Sequence, residues 1–165
     1  MEEAVGIGLN LGCGKVRWPG WINVDFANAD VNCDIRKLHF ADGFADVIAV
    51  IHGVEHFYTW ELSDLLSEWR RVLKTDGKLI LELPCMDKIF NVIAQCVKHE
   101  LVLPKMYWNA LWGDQSYQRE SMCHKTGYFE AGLIEQVKKA GFKQVTSTPP
   151  RYHFPVRDMR IEATK

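Results

Sequence analysis

In the stretch VIAVIHGVEHFYTW, His52, Glu55 and His56 are residue types that move protons and bind metals. Their order, H-x-x-E-H, is also the pattern of an inverted zinc protease. That chemistry needs both histidines one turn apart on a single helix face, with a third ligand elsewhere. Here the apolar run before His52 and the glycine directly after it describe the end of a buried strand. The residues therefore argue against a zinc protease, and no metal ligand is assigned. Glu55 and His56 stand as candidate catalytic groups, together with His124 of CHKTGY, expected to face them from the opposite rim. The plain alternative is that Glu55 and His56 hydrogen-bond locally and start the loop. His39, His99 and His153 lie in segments expected on the surface or near the end of the chain.

A second group of residues surrounds a glycine turn. LNLGCG places Gly12 and Gly14 at the end of an apolar strand, where glycine lets the backbone approach a ligand closely. A dinucleotide fingerprint would need a third glycine, and Gly12-Cys13-Gly14-Lys15-Val16-Arg17 lacks it. The phosphate-binding G-x-x-x-x-G-K-[ST] pattern is missing too. Asp25, closing the strand that follows, can accept the two hydroxyl protons of a ribose. Asp34 is placed for another polar contact on the same edge. A glycine turn with two strand-end carboxylates describes a nucleoside pocket without a phosphate cradle, for which S-adenosylmethionine is the common ligand.

The elements that must position these groups alternate short β-rich runs with amphipathic helical patterns, an α/β layer fold with a mostly parallel sheet. Strands are expected over Val5 to Leu11, Trp21 to Phe26, Asp30 to Ile35 and Phe44 to Ile51. The last is a near-continuous apolar run, as in a strand covered on both faces. Leu62, Leu65, Leu66, Trp69, Val72 and Leu73 recur at helical spacing, with Thr59 as the expected N-cap and Gly77 as the terminator. A fifth strand runs from Lys78 to Pro84. A last helix passes through EAGLIEQVKKAGF and ends at Gly141, and KQVTST with MRIEAT closes the sheet as a terminal antiparallel pair. Only Lys15 to Gly20 separates the glycine turn from the second strand, too short for an ordinary parallel crossover, so the first helix is trimmed. Residues 87–123 break the rhythm as a helical, aromatic insert, either a lid over a pocket or a cap on the core.

With 165 residues, of which 47% are hydrophobic, one domain with one core is expected. Twenty basic and twenty-one acidic residues leave a net charge of −1, which argues against a duplex nucleic-acid substrate. Arg151, Arg157, Arg160 and Lys165 are read as a solvated surface. Five cysteines without a C-x-x-C pair fit a reducing cytoplasm. Neither a signal peptide nor a membrane span is expected.

Taken in order, LNLGCG, GWINVDF, CDIRKLHFADGFADVIAVIHGVEHF, EWRRVLKTDGKLILELP and HKTGYFEAGLIEQVKKAGF resemble a class I S-adenosylmethionine-dependent methyltransferase, among the small ones with a shortened first helix. The resemblance implies a Rossmann-like, doubly wound sheet and S-adenosylmethionine as cofactor. It further implies that Gly12, Cys13 and Gly14 line the methionine and ribose, with Asn10 where many relatives carry an acid. Asp25, followed by Phe26, would take the ribose hydroxyls. Asp34 would take the adenine amino group, Ile35 would offer a backbone contact, and His52 and Gly53 would lie beside the reactive methyl. Some methyltransferases bind a divalent cation at an E-x-x-E-H after this strand, and here His52 replaces the first glutamate.

The expected reaction is methyl transfer to a small or medium-sized acceptor, a sugar or similar metabolite, stacked on aromatic residues of the insert. His56, His124 or Glu55 would serve as base if the acceptor is a hydroxyl. The alternatives are a non-catalytic S-adenosylmethionine-binding module and a metal-dependent hydrolase. No oligomeric state is assigned.

Overall fold

The computed structural model describes residues 6–165; the expected strand start at Val5 lies outside them. The sheet has seven strands: β1 (Gly8–Leu11), β2 (Ile22–Asp25), β3 (Val31–Asn32), β4 (Ala45–Ile51), β5 (Leu73–Pro84), β6 (Lys143–Thr148) and β7 (Asp158–Thr164). Their order is β3-β2-β1-β4-β5-β7-β6. The pairs from β3 through β5 are parallel, and β7 is antiparallel to both of its neighbours. This is the expected Rossmann-like architecture with its antiparallel terminal pair. The second, third and fourth strands are shorter than their expected ranges.

Period-two alternation assigns the sheet two faces. Leu9, Leu11, Ile48, Val50, Leu79, Leu81, Met159 and Ile161 share one large core with the helices α1 (Leu62–Val72) and α4 (Glu130–Lys139). Trp69 is its largest fully buried side chain, and its indole nitrogen donates to the Ile35 carbonyl at 2.9 Å. Helix α4 contributes Leu133 and Val137 and ends at Gly141, whose φ of +90° suits the glycine expected there.

Helix α1 departs from expectation at both ends. Thr59 does not cap it: Thr59 opens a 3₁₀ turn, and the Glu61 carboxylate accepts the Tyr58 N–H at 2.8 Å. The helix stops at Val72, not at Gly77. Leu73 instead pairs with Ala45 in the sheet and is fully buried, so tertiary pairing overrides its helical propensity.

The opposite face explains how the chain manages without a first helix. Residues 12–21 join β1 to β2 directly, and two tryptophans take the helix's place. Trp18 and Trp21 pack edge to face at 4.8 Å over Val47, Ala49 and Ile80. Gly8 admits this cover, since a Cβ there would stand 2.5 Å from the Trp21 ring. Tyr152, from the loop before β7, stacks on Trp18 at 4.7 Å.

That loop is held by Glu82 of β5, which is fully buried. Its carboxylate accepts the N–H groups of Arg151, Tyr152 and His153 at 2.8–3.0 Å and pairs with Arg160 at 3.3 Å. The expectation of a solvated basic C-terminus is thus corrected for three of its four residues. Arg160 lies between Glu82 and Glu162, Arg157 grips Asp158, and the Lys165 ammonium donates to the Leu73 carbonyl at 2.7 Å. Arg157 and Arg160 are buried, with the rings of Phe154 and Tyr152 beside their guanidinium groups, on a face that sequence patterning treats as open.

After β5 come α2 (Met86–Lys98) and α3 (Lys105–Trp112), which share a small core of Met86, Ile89, Tyr107 and Ala110. Trp108, Trp112 and Tyr117 stay about half exposed. Among the described residues no helix is long and apolar enough to cross a membrane.

Burial opposes the charge of Glu82, but its hydrogen bonds and Arg160 outweigh it and hold the carboxyl at about 2. A Glu82→Gln substitution leaves Arg160 buried beside a neutral partner and is expected to cost about 3 kcal/mol in urea unfolding. Because the folded pKa is depressed, the advantage of the parent over the variant is present above pH 4.5 and shrinks as pH falls towards 2. Equal stability of the two proteins at neutral pH would show that this ion pair does not hold the loop.

Candidate active site

In open α/β sheets, ligands bind at the carboxyl ends of the strands, and both groups of candidate residues leave the sheet there. The glycine turn follows β1. The amides of Gly12 and Cys13 both donate to the Val24 carbonyl at 2.9 and 3.2 Å, drawing the turn towards β2. Gly12 has φ +66°, a left-handed conformation that side chains rarely adopt. A Cβ on Gly14 would meet nothing within 4 Å, so the outer side of the turn is open.

Asp25, at the end of β2, accepts the Gly14 N–H at 2.7 Å through one oxygen and the Phe26 N–H at 2.7 Å through the other. Each oxygen keeps a lone pair, so the carboxylate retains room for hydroxyl donors. Phe26 exposes its ring alongside. Cys13 is buried, and burial raises its thiol pKa. These features fit an adenosyl ligand over the glycine turn.

Other residues expected at the cofactor sit differently. Asn10 lies beneath the turn, 3% exposed, with its amide donating to the Val16 carbonyl and to Asn23 Oδ1; it shapes the turn from below. Asp34 is taken by Arg36, at 2.7 and 2.9 Å, and Arg36 in turn reaches Glu61. Ile35 is buried with its carbonyl given to Trp69, which leaves its N–H for a ring contact.

The second group follows β4. His52 has φ +52°, a left-handed conformation that costs a non-glycine residue about 1–2 kcal/mol. Past it, buried Gly53 leads into a single 3₁₀ turn, Val54–His56, and not into a helix. The turn brings the His52 and Glu55 side chains together, with His52 Nδ1 3.0 Å from Glu55 Oε1. On its other side His52 Nε2 lies 3.6 Å from the Asp158 carboxylate, and its ring sits 4.0 Å from that of His153. Burial opposes the imidazolium, but Asp158 and Glu55 together raise its pKa to about 9.

The carbonyl of Glu55 accepts the N–H groups of Lys125 and Thr126 at 2.8 and 3.2 Å. This seam carries His124 to the cluster as expected, with Nε2 at 3.9 Å from Glu55 Oε1. His56 and His124 meet edge to face at 4.9 Å. Each has its Nδ1 against a backbone carbonyl, Cys123 at 3.2 Å for His56 and Ala110 at 2.9 Å for His124. A carbonyl only accepts, so the proton of the neutral ring sits on Nδ1 and Nε2 carries a bare lone pair. Burial lowers the pKa of His124 against the pull of Glu55.

Sequence reasoning missed Asp158, His153 and Tyr128, whose buried hydroxyl is pushed up to about 12 by burial. The alternation of Asp158, Arg160 and Glu162 with Met159, Ile161 and Ala163 signals that Asp158 faces the polar side of β7, though not that His52 waits there.

Residues 18–81 match the methyltransferase-domain family. The structure is similar to an S-adenosylmethionine-dependent methyltransferase from Archaeoglobus fulgidus, with 17% identity, a TM-score of 0.66, and coverage of 96% of this chain and 86% of that one. The chain thus carries a methyltransferase-domain match over residues 18–81 and, over nearly its whole length, the fold of these enzymes. The structure is also similar to an S-adenosylmethionine-dependent methyltransferase from Methanosarcina mazei, at 15% identity and TM-score 0.64 over 97% of this chain and 92% of that one. A third similar structure is the 1,6-didemethyltoxoflavin-N1-methyltransferase of Burkholderia thailandensis with bound S-adenosylhomocysteine, at 15% identity and TM-score 0.66 over 97% and 71%. At these identities the likeness is one of fold. No curated protein matches the chain by sequence.

A folded-state pKa of about 9 for His52 against 6.5 unfolded makes its ion pairs a source of stability below pH 6.5 that fades as pH rises to 9. The parent is therefore expected to lose its stability advantage over His52→Gln across that window in urea unfolding. An NMR titration in which His52 titrates below His124 would refute the arrangement.

Proposed function

We propose that this protein is an S-adenosylmethionine-dependent methyltransferase that moves a methyl group onto a hydroxyl oxygen of a small acceptor, a sugar or comparable metabolite, seated between the histidine cluster and the aromatic insert. The observation that supports this most is the shared edge: an open glycine turn with Asp25 and, two strands away, imidazoles with bare nitrogens around a buried carboxylate. Bound S-adenosylmethionine supplies a methyl carbon activated by its sulfonium. The chain's own residues then have three tasks.

Gly12, Gly14 and Asp25 hold the cofactor, the carboxylate by accepting ribose hydroxyl protons. His124 takes the acceptor proton on Nε2, because burial keeps the ring neutral near pH 7 and Ala110 fixes its tautomer. General-base assistance of this kind is worth roughly 10²–10⁴-fold. The insert orients the acceptor. Trp108 and Trp112, one turn apart on α3, border an open hollow of about 240 Å³ that also includes Asn109 and Asp114. Aromatic faces beside amide and carboxylate groups suit a ring bearing hydroxyls. The Trp112 carbonyl accepts the His124 N–H at 3.2 Å, so the hollow and the cluster are adjacent.

Calorimetry with S-adenosylhomocysteine is expected to show binding weakened at least tenfold in Asp25→Ala and to a similar degree in Asp25→Asn, which keeps an acceptor for the Gly14 amide. Unchanged affinity in both would remove Asp25 from the cofactor site. For the acceptor, transfer of labelled methyl groups to a sugar and metabolite panel is expected to show a raised KM with Trp108→Ala. Labelled product confined to peptides or nucleic acid would overturn the acceptor class.

A further inference from the structure

We infer that Glu55, His56 and His124 form a site for one divalent transition-metal ion of the zinc type. Three observations converge on it. First, one ligand atom from each residue lies within 4.8 Å of the other two. Ligands at about 2.0–2.2 Å from a tetrahedral zinc lie roughly 3.4 Å apart, so rotation of these side chains by an ångström or so closes the set.

Second, Glu55 is 1% exposed, and neither carboxylate oxygen receives an aligned hydrogen bond. Its close approach to His52 engages Oε1 alone, which leaves Oε2 bare in a low-dielectric setting. A buried anion with free lone pairs is costly unless a cation meets it.

Third, the two histidines are already arranged as ligands. Each commits Nδ1–H to a backbone carbonyl, at Cys123 and at Ala110, which fixes the ring and presents Nε2. That is the outer-shell contact by which metal-binding imidazoles are held. Both carbonyl partners lie in the insert and His124 just after it, so the third ligand and both of these contacts come from chain remote from β4.

The donor set defines the ion. Two imidazole nitrogens and one carboxylate favour zinc and its first-row neighbours, whereas magnesium takes oxygen ligands in an octahedron and keeps much of its water. His52 is not a ligand, since Glu55 and Asp158 occupy both of its ring nitrogens. Three protein ligands leave a coordination position free for an oxygen, as in catalytic rather than structural zinc sites. With the ion bound, His56 and His124 are ligands and the ion assumes the task of acidifying a bound hydroxyl. The site itself stands on its own geometry, whether or not the acceptor class proposed above is right.

The test titrates chelator-stripped, full-length protein with zinc and cobalt, following heat and the visible d–d absorption of cobalt. One equivalent of either ion is expected to bind, with the cobalt bands displaced by zinc and not by a hundredfold excess of magnesium. His124→Ala and His56→Gln, each checked for unaltered circular dichroism, are expected to weaken zinc binding at least tenfold. His99→Ala, an exposed histidine outside the cluster, is expected to change nothing. Absence of stoichiometric binding, displacement by equimolar magnesium, or parental affinity in both cluster variants would overturn the site. None of these outcomes depends on methyl transfer or cofactor binding.

Discussion

A carboxylate shut away from water must be met by positive charge or hydrogen bonds, because desolvation costs several kcal/mol per ion. Glu55 places this demand at the end of β4, and much of the surrounding structure answers it. His52 turns back through a left-handed residue to reach it, His56 follows in the same short turn, and His124 is brought in by two backbone hydrogen bonds to the Glu55 carbonyl. The charge then propagates outward. Protonated His52 draws on Asp158, Asp158 on Arg157, and the loop before β7 lies against His52 through His153. Removing a side chain from this chain therefore unbalances its neighbours as well, and effects at adjacent positions will not add.

The two halves of the candidate site are supported differently. The glycine turn rests on backbone: strand-end amides, left-handed glycines, and an asparagine pair, Asn10 and Asn23, tied beneath them. The histidine cluster rests on side-chain charge. Backbone geometry changes little with pH, whereas in the cluster burial lowers the pKa of His124 while Asp158 and Glu55 raise that of His52. The two halves of the site should accordingly respond differently to pH.

Much of the parallel sheet was legible because buried strands such as FADVIAVI advertise themselves by composition, and because a six-residue gap leaves no room for a crossover helix. The glycine turn and Asp25 were legible from type and spacing. What could not be read was how the exposed face would be closed. Trp18 and Trp21 are too few to show periodicity, yet they cover the sheet where a helix would lie, and Gly8 makes sense only beside the Trp21 ring. Glu82, Arg157 and Arg160 are buried as well, although local pattern marks them as surface. The ion pair of Asp34 with Arg36, two residues on, was not read either, because strand-end position alone does not announce it. Helix α1 ended early because Leu73 found a strand partner in Ala45, a contact no window of sequence contains.

The sheet order has a bearing on biosynthesis. β7 is last among the seven strands in the chain but lies inside the sheet, between β5 and β6. While the ribosome is still making residues 158–164, β5 has an open edge, β6 has no partner in the sheet, and His52 lacks the Asp158 carboxylate. The active-site edge can therefore acquire its final charge balance only after this segment clears the exit tunnel.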